Sequence, residues 1–569
     1  DSVRGGVRTV YRSLLGRYDG VTRGRATTCQ PPGIPSMRPN IVLILNDDMG
    51  FSDLGCYGGE VHTPNLDRLA SAGLRYTQFY NTARCCPSRA SLLTGLHPHQ
   101  AGVGHMISDD DLDGYRGDLN DRCVTIAEAL GASGYRTYMS GKWHVSRHTG
   151  ADGPKHSWPM QRGFEKYFGI ITGAASFWSP KTLTRGNEAI EIDSLPDDFF
   201  LTDAISDEAA TYIRDHAKDH PPENPKDPFF LYVGYTAPHW PLHAHEEDIE
   251  RYRGRFDEGW DDLREQRLTR MRAAGLLSEE WALTDRDPTQ PPWGAAEEKE
   301  WNVRRMEVYA AQIDRMDQGI GRVIDALEET GALDNTPILF LADNGGCAEE
   351  LGWRGEGHEN LSSTVKTRHG EPVQFGNTSS LMPGPETTYQ SYGPAWANLS
   401  NTPFREYKHW VHEGGIATPL IAHWPDGIAD RGGLRHQPGQ LPDVMATCLE
   451  LAGAEYPEQF NGADIYPPEG DSLAPTFEDE DNGKKVLYWE HEGNRAVRRG
   501  EWKLVCKYPG DWELYDIDAD RTELNDLSAD RPEVVSELSA LHDAWAERCQ
   551  VHPWQDLQEL RRARRASRQ

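Results

Sequence analysis

Residues 40–48 read NIVLILNDD. Five consecutive Ile, Val and Leu residues leave no polar face for solvent, so the run is a strand buried on both sides, the kind found inside a parallel sheet. Two carboxylates, Asp47 and Asp48, follow at its C-terminal end. PILFLADN at 337–344 repeats the pattern, with Asp343 and Asn344 at the tip, and PFFLYVGYTAPH (228–239) and PLIAHWP (419–425) are further apolar strands. Helical stretches lie between them. HTPNLDRLASAG (62–73) starts with Thr63 and Pro64 and stops at Gly73, TIAEALGASG fills 125–134, and further helices fall near 204–218 and 302–329. Strands alternating with helices give an α/β fold with a large mixed, mostly parallel sheet flanked by helices. From about residue 470 the pattern changes. VLYWEHEGNRAVRRGEWKLVCKYPGDWELYDI (486–517) has short strands separated by Gly-bearing turns, and a helix follows near 531–547. That is a small antiparallel sheet packed by one helix.

The 569 residues suit one large domain with a smaller one, or three small ones. The boundaries drawn are 1–37 as a leader or extension, 38–469 as the main α/β domain, 470–550 as a small α+β domain and 551–569 as a solvated basic tail. Residues 1–36 hold six arginines and no apolar signal core. No visible signal favours the cytoplasm, and a cleaved signal would leave the same record for a periplasmic or secreted protein. No run approaches the ~20 apolar residues of a membrane span. The formal net charge of −31 repels nucleic acid and anionic membranes, so an anionic substrate would need a local positive pocket. Nine cysteines in a chain this long do not form a disulfide framework, and most read as small buried apolar residues.

In parallel sheets, ligands gather beyond the C-terminal strand ends. Acidic residues after strands are also ordinary turn formers. Two such ends in the same context would join three carboxylates and an amide oxygen, an all-oxygen set suited to Ca²⁺ or, less well, Mg²⁺. Between 81 and 95 lies NTARCCPSRASLLTG. Neighbouring cysteines make a poor disulfide, and no further paired Cys or His completes a zinc site. Pro87 suits a first helical turn, which puts Cys85 at a helix N-terminus, where anions are favoured, with Arg89 a turn on. Cys85 then reads either as a thiolate nucleophile or as a structural cysteine.

Cys85-Cys86-Pro87-Ser88-Arg89, followed by Thr94-Gly95, resembles the C-x-P-S-R signature of formylglycine-dependent type I sulfatases in the alkaline phosphatase superfamily. The resemblance runs from about 38 to about 530. It implies an alkaline phosphatase-like fold, oxidation of Cys85 to formylglycine by a formylglycine-generating enzyme, and Ca²⁺ at Asp47, Asp48, Cys85, Asp343 and Asn344. GKWH resembles the family's basic segment, implying roles for Lys142 and His144. TAPHWP implies His239 and NTPFREYKHWVHEGG implies Lys408, while Ala417 stands where many relatives have arginine. The implied activity is hydrolysis of aryl or carbohydrate sulfate esters through a covalent sulfo-formylglycine intermediate. Lys142, Lys408 and Arg89 would hold the sulfate oxygens, and Lys142, His239 and Lys408 would bind substrate. His239 or Lys408 would protonate the leaving alcohol, and His144 would take the final proton. Two alternatives stand beside it. A phosphonate monoester or phosphodiester hydrolase shares the nucleophile but tends to have Asp-His where this chain has Asp343-Asn344. A Ca²⁺-dependent anion binder would leave Cys85 unmodified.

Three further expectations concern the surroundings. Asp109-x-Asp111-x-Asp113-Gly114 resembles an EF-hand start but has Asn120 at the twelfth position, so it reads as an acidic loop. His239, His243 and His245 lack a fourth ligand for zinc. Residues 245–300 read as an insertion and 353–403 as a long functional loop, with Trp260, Trp293, Tyr389, Tyr392 and Trp396 expected to stack on substrate.

Overall fold

The computed structural model describes residues 38–220, 227–483 and 486–568, so the expected leader lies outside the described residues. Seven strands form the centre of the main sheet: β1 (Ile41–Asn46), β2 (Leu74–Tyr80), β3 (Arg136–Gly141), β4 (Lys166–Ile170), β5 (Phe229–Gly234), β6 (Ile338–Ala342) and β7 (Ala417–His423). Their spatial order is β2-β7-β6-β1-β5-β3-β4, within a sheet of eleven strands. β1 runs parallel to β5 and β6, and β3 parallel to β4 and β5. β7 alone among the seven runs antiparallel to its neighbours β2 and β6.

Every residue of β1 is buried, because helices cover both faces. The main ones are α1 (Pro64–Ala72), α2 (Cys85–Thr94), α3 (Leu201–Asp219), α4 (Lys299–Glu329) and α5 (Leu441–Ala452). Side chains alternate across a strand. Val42 and Ile44 accordingly pack with Leu66, Ile205 and Ile313 of α1, α3 and α4. Ile41, Leu43 and Leu45 pack with Leu92, Leu93 and Val444 of α2 and α5. These two cores explain why β1 shows no alternation in sequence.

The C-terminal sheet is a four-stranded antiparallel meander, β8 (Val486–His491), β9 (Asn494–Arg499), β10 (Trp502–Cys506) and β11 (Trp512–Asp516), and it belongs to the same compact unit as the main sheet. Helix α6 (Pro532–Arg548) covers it, with Leu538 packed against Val497, Leu504 and Leu514.

Three expectations change. The end of the chain is not a solvated tail: α7 (Trp554–Arg568) carries it, with Leu557 buried and Arg561 paired to Asp110 of the acidic loop. Residues 353–403 are not one open loop, since they contain the three-stranded sheet of Gly355–Glu356, Gln374–Phe375 and Thr388–Tyr389 and the helix Gly393–Ser400. The aromatic residues expected to stack on substrate mostly stack on the protein. Trp260 and Trp293 both meet Trp396, Tyr392 stacks on Tyr309, and Tyr389, Tyr392, Trp260 and Trp396 are buried. Residues 245–300 supply part of that packing through Trp260, and also place Arg267 on Asp53.

Candidate active site

The register of β1 against β6 sets Asn46 beside Ala342, so the next residues, Asp47 and Asp343, leave the sheet side by side. Asp48 turns back with φ 67°, and its N–H donates to Asp343 Oδ1 at 3.3 Å. Asn344 Nδ2 donates to Asp48 Oδ1 at 2.7 Å and to the Gly345 carbonyl. That fixes the amide, and Asn344 Oδ1 is left with no hydrogen-bond partner, as is Asp47 Oδ1.

Cations surround these acids. Lys142 leaves β3 directly after Gly141, and a Cβ on Gly141 (φ 118°) would sit 1.9 Å from the Gly234 carbonyl oxygen, so only glycine allows β3 this close to β5. Lys142 Nζ donates to Asp47 Oδ2 at 2.5 Å. Lys408 Nζ lies 2.8 Å from Asp48 Oδ1. Arg89 donates through Nε and Nη2 to Asp343 Oδ2 at 3.1 and 2.9 Å, and through Nη1 to the Lys142 carbonyl. Arg89 therefore braces Asp343 and Lys142, a different task from the sulfate contact expected of it. Burial dominates the titration of two of the acids: it pushes Asp47 up to about 6 and Asp343 well above the carboxylate range, against the pull of Arg89 and Lys142. Asp48 stays low, because Lys408 and His239 outweigh its burial.

Cys85 is the first residue of α2 and is 2% exposed. Pro87 occupies the third helical position, where no intrahelical N–H bond is lost. Ser88 Oγ accepts from the Thr82 N–H at 3.1 Å, so the motif's serine ties the helix start to the turn after β2. A hydrogen bond from Cys86 holds the Cys85 thiol well below its ordinary value; burial opposes this, and Lys142 and Lys408 add to it. His144 and Cys86 have ligand atoms within 4.8 Å of the Cys85 sulfur. A Cβ on Gly173 would meet the His144 ring at 2.2 Å, so that glycine makes room for the imidazole. Burial holds His144 at about 4, hence neutral.

His239 Nδ1 lies 2.6 Å from the Trp240 carbonyl, which can only accept, so this nitrogen carries the proton. Nε2 then faces Asp48 Oδ2 at 3.4 Å. Burial holds this histidine too at about 4. His243 bonds the Thr388 carbonyl and His245 packs on Phe200, so the three histidines of that segment do not converge.

The structure thus brings Cys85, Arg89, Lys142, His144, His239 and Lys408 around Asp47, Asp48, Asp343 and Asn344. It adds residues the sequence did not single out. Arg84, just before Cys85, donates to Glu349 Oε1 at 2.8 Å, and Trp240 Nε1 donates to Glu349 Oε2 at 2.9 Å. The adjacency of Arg84 to the motif was a usable signal, whereas the pairing with Glu349 was not. The donor set fits a hard divalent cation: the ligand atoms are all oxygens, and two of them are buried without a hydrogen bond.

The sulfatase family model matches residues 39–454, and a model described as N-sulphoglucosamine sulphohydrolase, C-terminal, matches residues 405–547. The chain is 34% identical over 545 residues to an uncharacterized sulfatase of Schizosaccharomyces pombe, covering 88% of this chain and 92% of that one. It is 33% identical over 454 residues to the arylsulfatase of Klebsiella aerogenes, covering 77% and 91%. The crystal structure of Ps i-CgsB in complex with k-i-k-neocarrahexaose is similar in fold, with a TM-score of 0.62 at 24% identity over 90% of this chain and 93% of that one. The mixed sheet with its small C-terminal meander is the alkaline phosphatase-like fold. With a family model spanning most of its length and a nucleophile motif set against a ring of acids and lysines, the chain belongs to the sulfatase family and is a sulfuric ester hydrolase.

Proposed function

We propose that Cys85 is the precursor of a formylglycine, installed by a formylglycine-generating enzyme, and that Asp47, Asp48, Asp343 and Asn344 hold Ca²⁺ beside it. The observation that carries this reading is the pair of buried oxygens without a hydrogen bond, Asp47 Oδ1 and Asn344 Oδ1, next to a cysteine at a helix N-terminus. When bound, the cation supplies charge to oxygens of the sulfuryl group, and the hydrated aldehyde supplies the attacking hydroxyl, a group that can later expel sulfate where a serine could not.

The chain's own residues do the rest. Lys142 and Lys408 offer N–H donors and positive charge where the sulfuryl oxygens gain negative charge in the transition state. Arg89 fixes Asp343 through two N–H donors and draws its carboxyl towards the charged form against the effect of burial. Lys408 is protonated at neutral pH, its value raised by Asp48 against the effect of burial, so its Nζ is the group that gives a proton to the leaving alcohol. His239, neutral with its proton on Nδ1, offers Nε2 as an acceptor to a hydroxyl of the substrate. His144, also neutral, accepts the proton released when the second hydroxyl of the hydrate collapses to the aldehyde. The substrate class is a sulfate monoester of a sugar or aryl alcohol.

The test has two arms. Mass spectrometry of the peptide spanning residues 81–95 should find an aldehyde at position 85. The Cys85→Ala variant should keep the native circular dichroism spectrum and release no sulfate from p-nitrophenyl sulfate. Unmodified thiol in fully active enzyme, or sulfate release by the variant at the original rate, would overturn the reading.

A further inference from the structure

A second set of ligand-type side chains meets where the Lys408 loop touches the C-terminal sheet. His409 follows Lys408, His491 is the last residue of β8, and Glu492 opens the turn into β9. A ring nitrogen from each histidine and a carboxylate oxygen of Glu492 lie within 4.8 Å of one another. His409 Nδ1 is 3.4 Å from Glu492 Oε2. The two imidazole rings meet edge to face with centroids 5.4 Å apart.

His491 is the decisive residue. It is 1% exposed, and neither ring nitrogen has a hydrogen-bond partner. A neutral imidazole has one N–H and one lone pair, and leaving a buried polar group unsatisfied costs about 1–3 kcal/mol. The great majority of buried polar side chains bond at least one partner; His491 bonds none.

The carboxylate is oriented from behind. His105 Nδ1 lies 3.0 Å from Arg561 Nη2. A guanidinium only donates, so Nδ1 accepts and the proton sits on Nε2, which donates to Glu492 Oε1 at 2.6 Å. Arg561 in turn pairs with Asp110. The relay Asp110–Arg561–His105 therefore fixes one oxygen of Glu492 and leaves Oε2 on the side of His409. Hydrogen-bonded partners of this kind hold metal-ligating groups in place.

We propose that His409, His491 and Glu492 bind a divalent transition-metal ion of the zinc class, at a site separate from the acidic cluster. Two imidazoles and one carboxylate match the preferences of such an ion, and Ca²⁺ does not take imidazole readily. The His409 N–H donates to the Ala83 carbonyl at 2.7 Å, so the ion would lock together the Lys408 loop, the segment entering Cys85 and the β8–β9 hairpin.

Co²⁺ is the probe, added to the full-length protein in saturating Ca²⁺ so that the oxygen site is filled. One equivalent of Ca²⁺-resistant Co²⁺ is expected, with visible absorption bands that Zn²⁺ abolishes. His491→Ala and Glu492→Gln should each lose that equivalent, and His105→Ala should weaken it by about 10–100-fold. Absence of Ca²⁺-resistant Co²⁺ in the unaltered protein, or an undiminished equivalent in both ligand variants, overturns the site. Should neither variant fold, X-ray absorption at the cobalt edge of the unaltered protein decides: imidazole scattering supports the site and an all-oxygen shell overturns it. Unmodified Cys85 with Cys86 and His144 could also take Co²⁺, so the equivalent is counted in the Cys85→Ala background, which makes the result independent of the modification.

Discussion

Two buried ionic clusters sit at opposite ends of the Lys408 loop, and they are built differently. At the active site three acids, Asp47, Asp48 and Asp343, meet three cations, Lys142, Lys408 and Arg89. Under the C-terminal sheet, Glu413 accepts from Lys503 at 2.8 Å, from Arg521 at 2.8 Å and from the Tyr80 hydroxyl at 3.1 Å. Glu523 pairs with the same Lys503 at 2.7 Å and accepts from the Glu413 N–H, and Arg498 donates to Tyr80. At Glu413, Lys503 and Arg521 overcome the effect of burial and hold the acid at about 2. At Asp47 burial prevails over Lys142 and Arg89, and the acid rises to about 6. Similar ingredients thus give a closed knot in one place and an open one in the other. The open cluster retains affinity for more positive charge, which is what a binding site needs. The closed one serves to fasten the C-terminal sheet to the loop that carries Lys408.

Breaking the closed knot should have the largest effect on stability. Glu413→Gln leaves Lys503 and Arg521 short of charge in a dry interior and should cost about 3–5 kcal/mol in urea unfolding. A loss below 1 kcal/mol would remove the distinction between the clusters. The same acid sets an expected pH dependence. Its value is depressed on folding, so its contribution is complete above about pH 4.5 and is lost as pH falls towards about 2. Stability of the unaltered protein should slope downward across that window, and Glu413→Gln should flatten the slope.

At the open cluster the effect should fall on rate. Lys142→Ala should lower kcat by about 10²–10³-fold, with unfolding in saturating Ca²⁺ affected less than by Glu413→Gln. Equal loss of stability in the two variants would show that the active-site lysine is structural. Chelation sharpens the contrast further. A cation at 100 times its Kd stabilises by about 2.7 kcal/mol, so a chelator should lower the melting temperature and abolish sulfate release. Asp343→Asn should erase most of that chelator response, whereas Glu413→Gln should retain it. The smallest effect belongs to the pair of Arg561 with Asp110, whose side chains are 22% and 6% exposed: Arg561→Ala should cost about 1 kcal/mol.

Much of the frame was legible from residues alone. β1 and β6 are continuous apolar runs with acids at their tips, and five residues of motif mark the start of α2. The antiparallel direction of β7 was not legible, because PLIAHWP carries no sign of which way it enters the sheet. Nor was the turn of Arg89 towards Asp343, a contact across 254 residues of chain. The aromatic residues were misassigned because composition cannot tell a ring that stacks on a ligand from one that stacks on Trp396. The C-terminal helix was misread because arginines dominate 561–569, while its anchors, Trp554 on the His105 ring and the buried Leu557, lie just upstream.

The position of β1 has a consequence for biosynthesis. Its two neighbours come from far along the chain, and Asp48 meets Asp343 only across 295 residues. A ribosome must therefore add 295 residues after Asp48 before Asp343 can meet it and β1 gains its second flank. A nascent chain stopped short of Ile338 has one edge of β1 bare and none of the residues from β6 or the Lys408 loop. Translation stalled there yields an inert, adhesive fragment rather than a weak enzyme, so catalytic competence appears late and all at once.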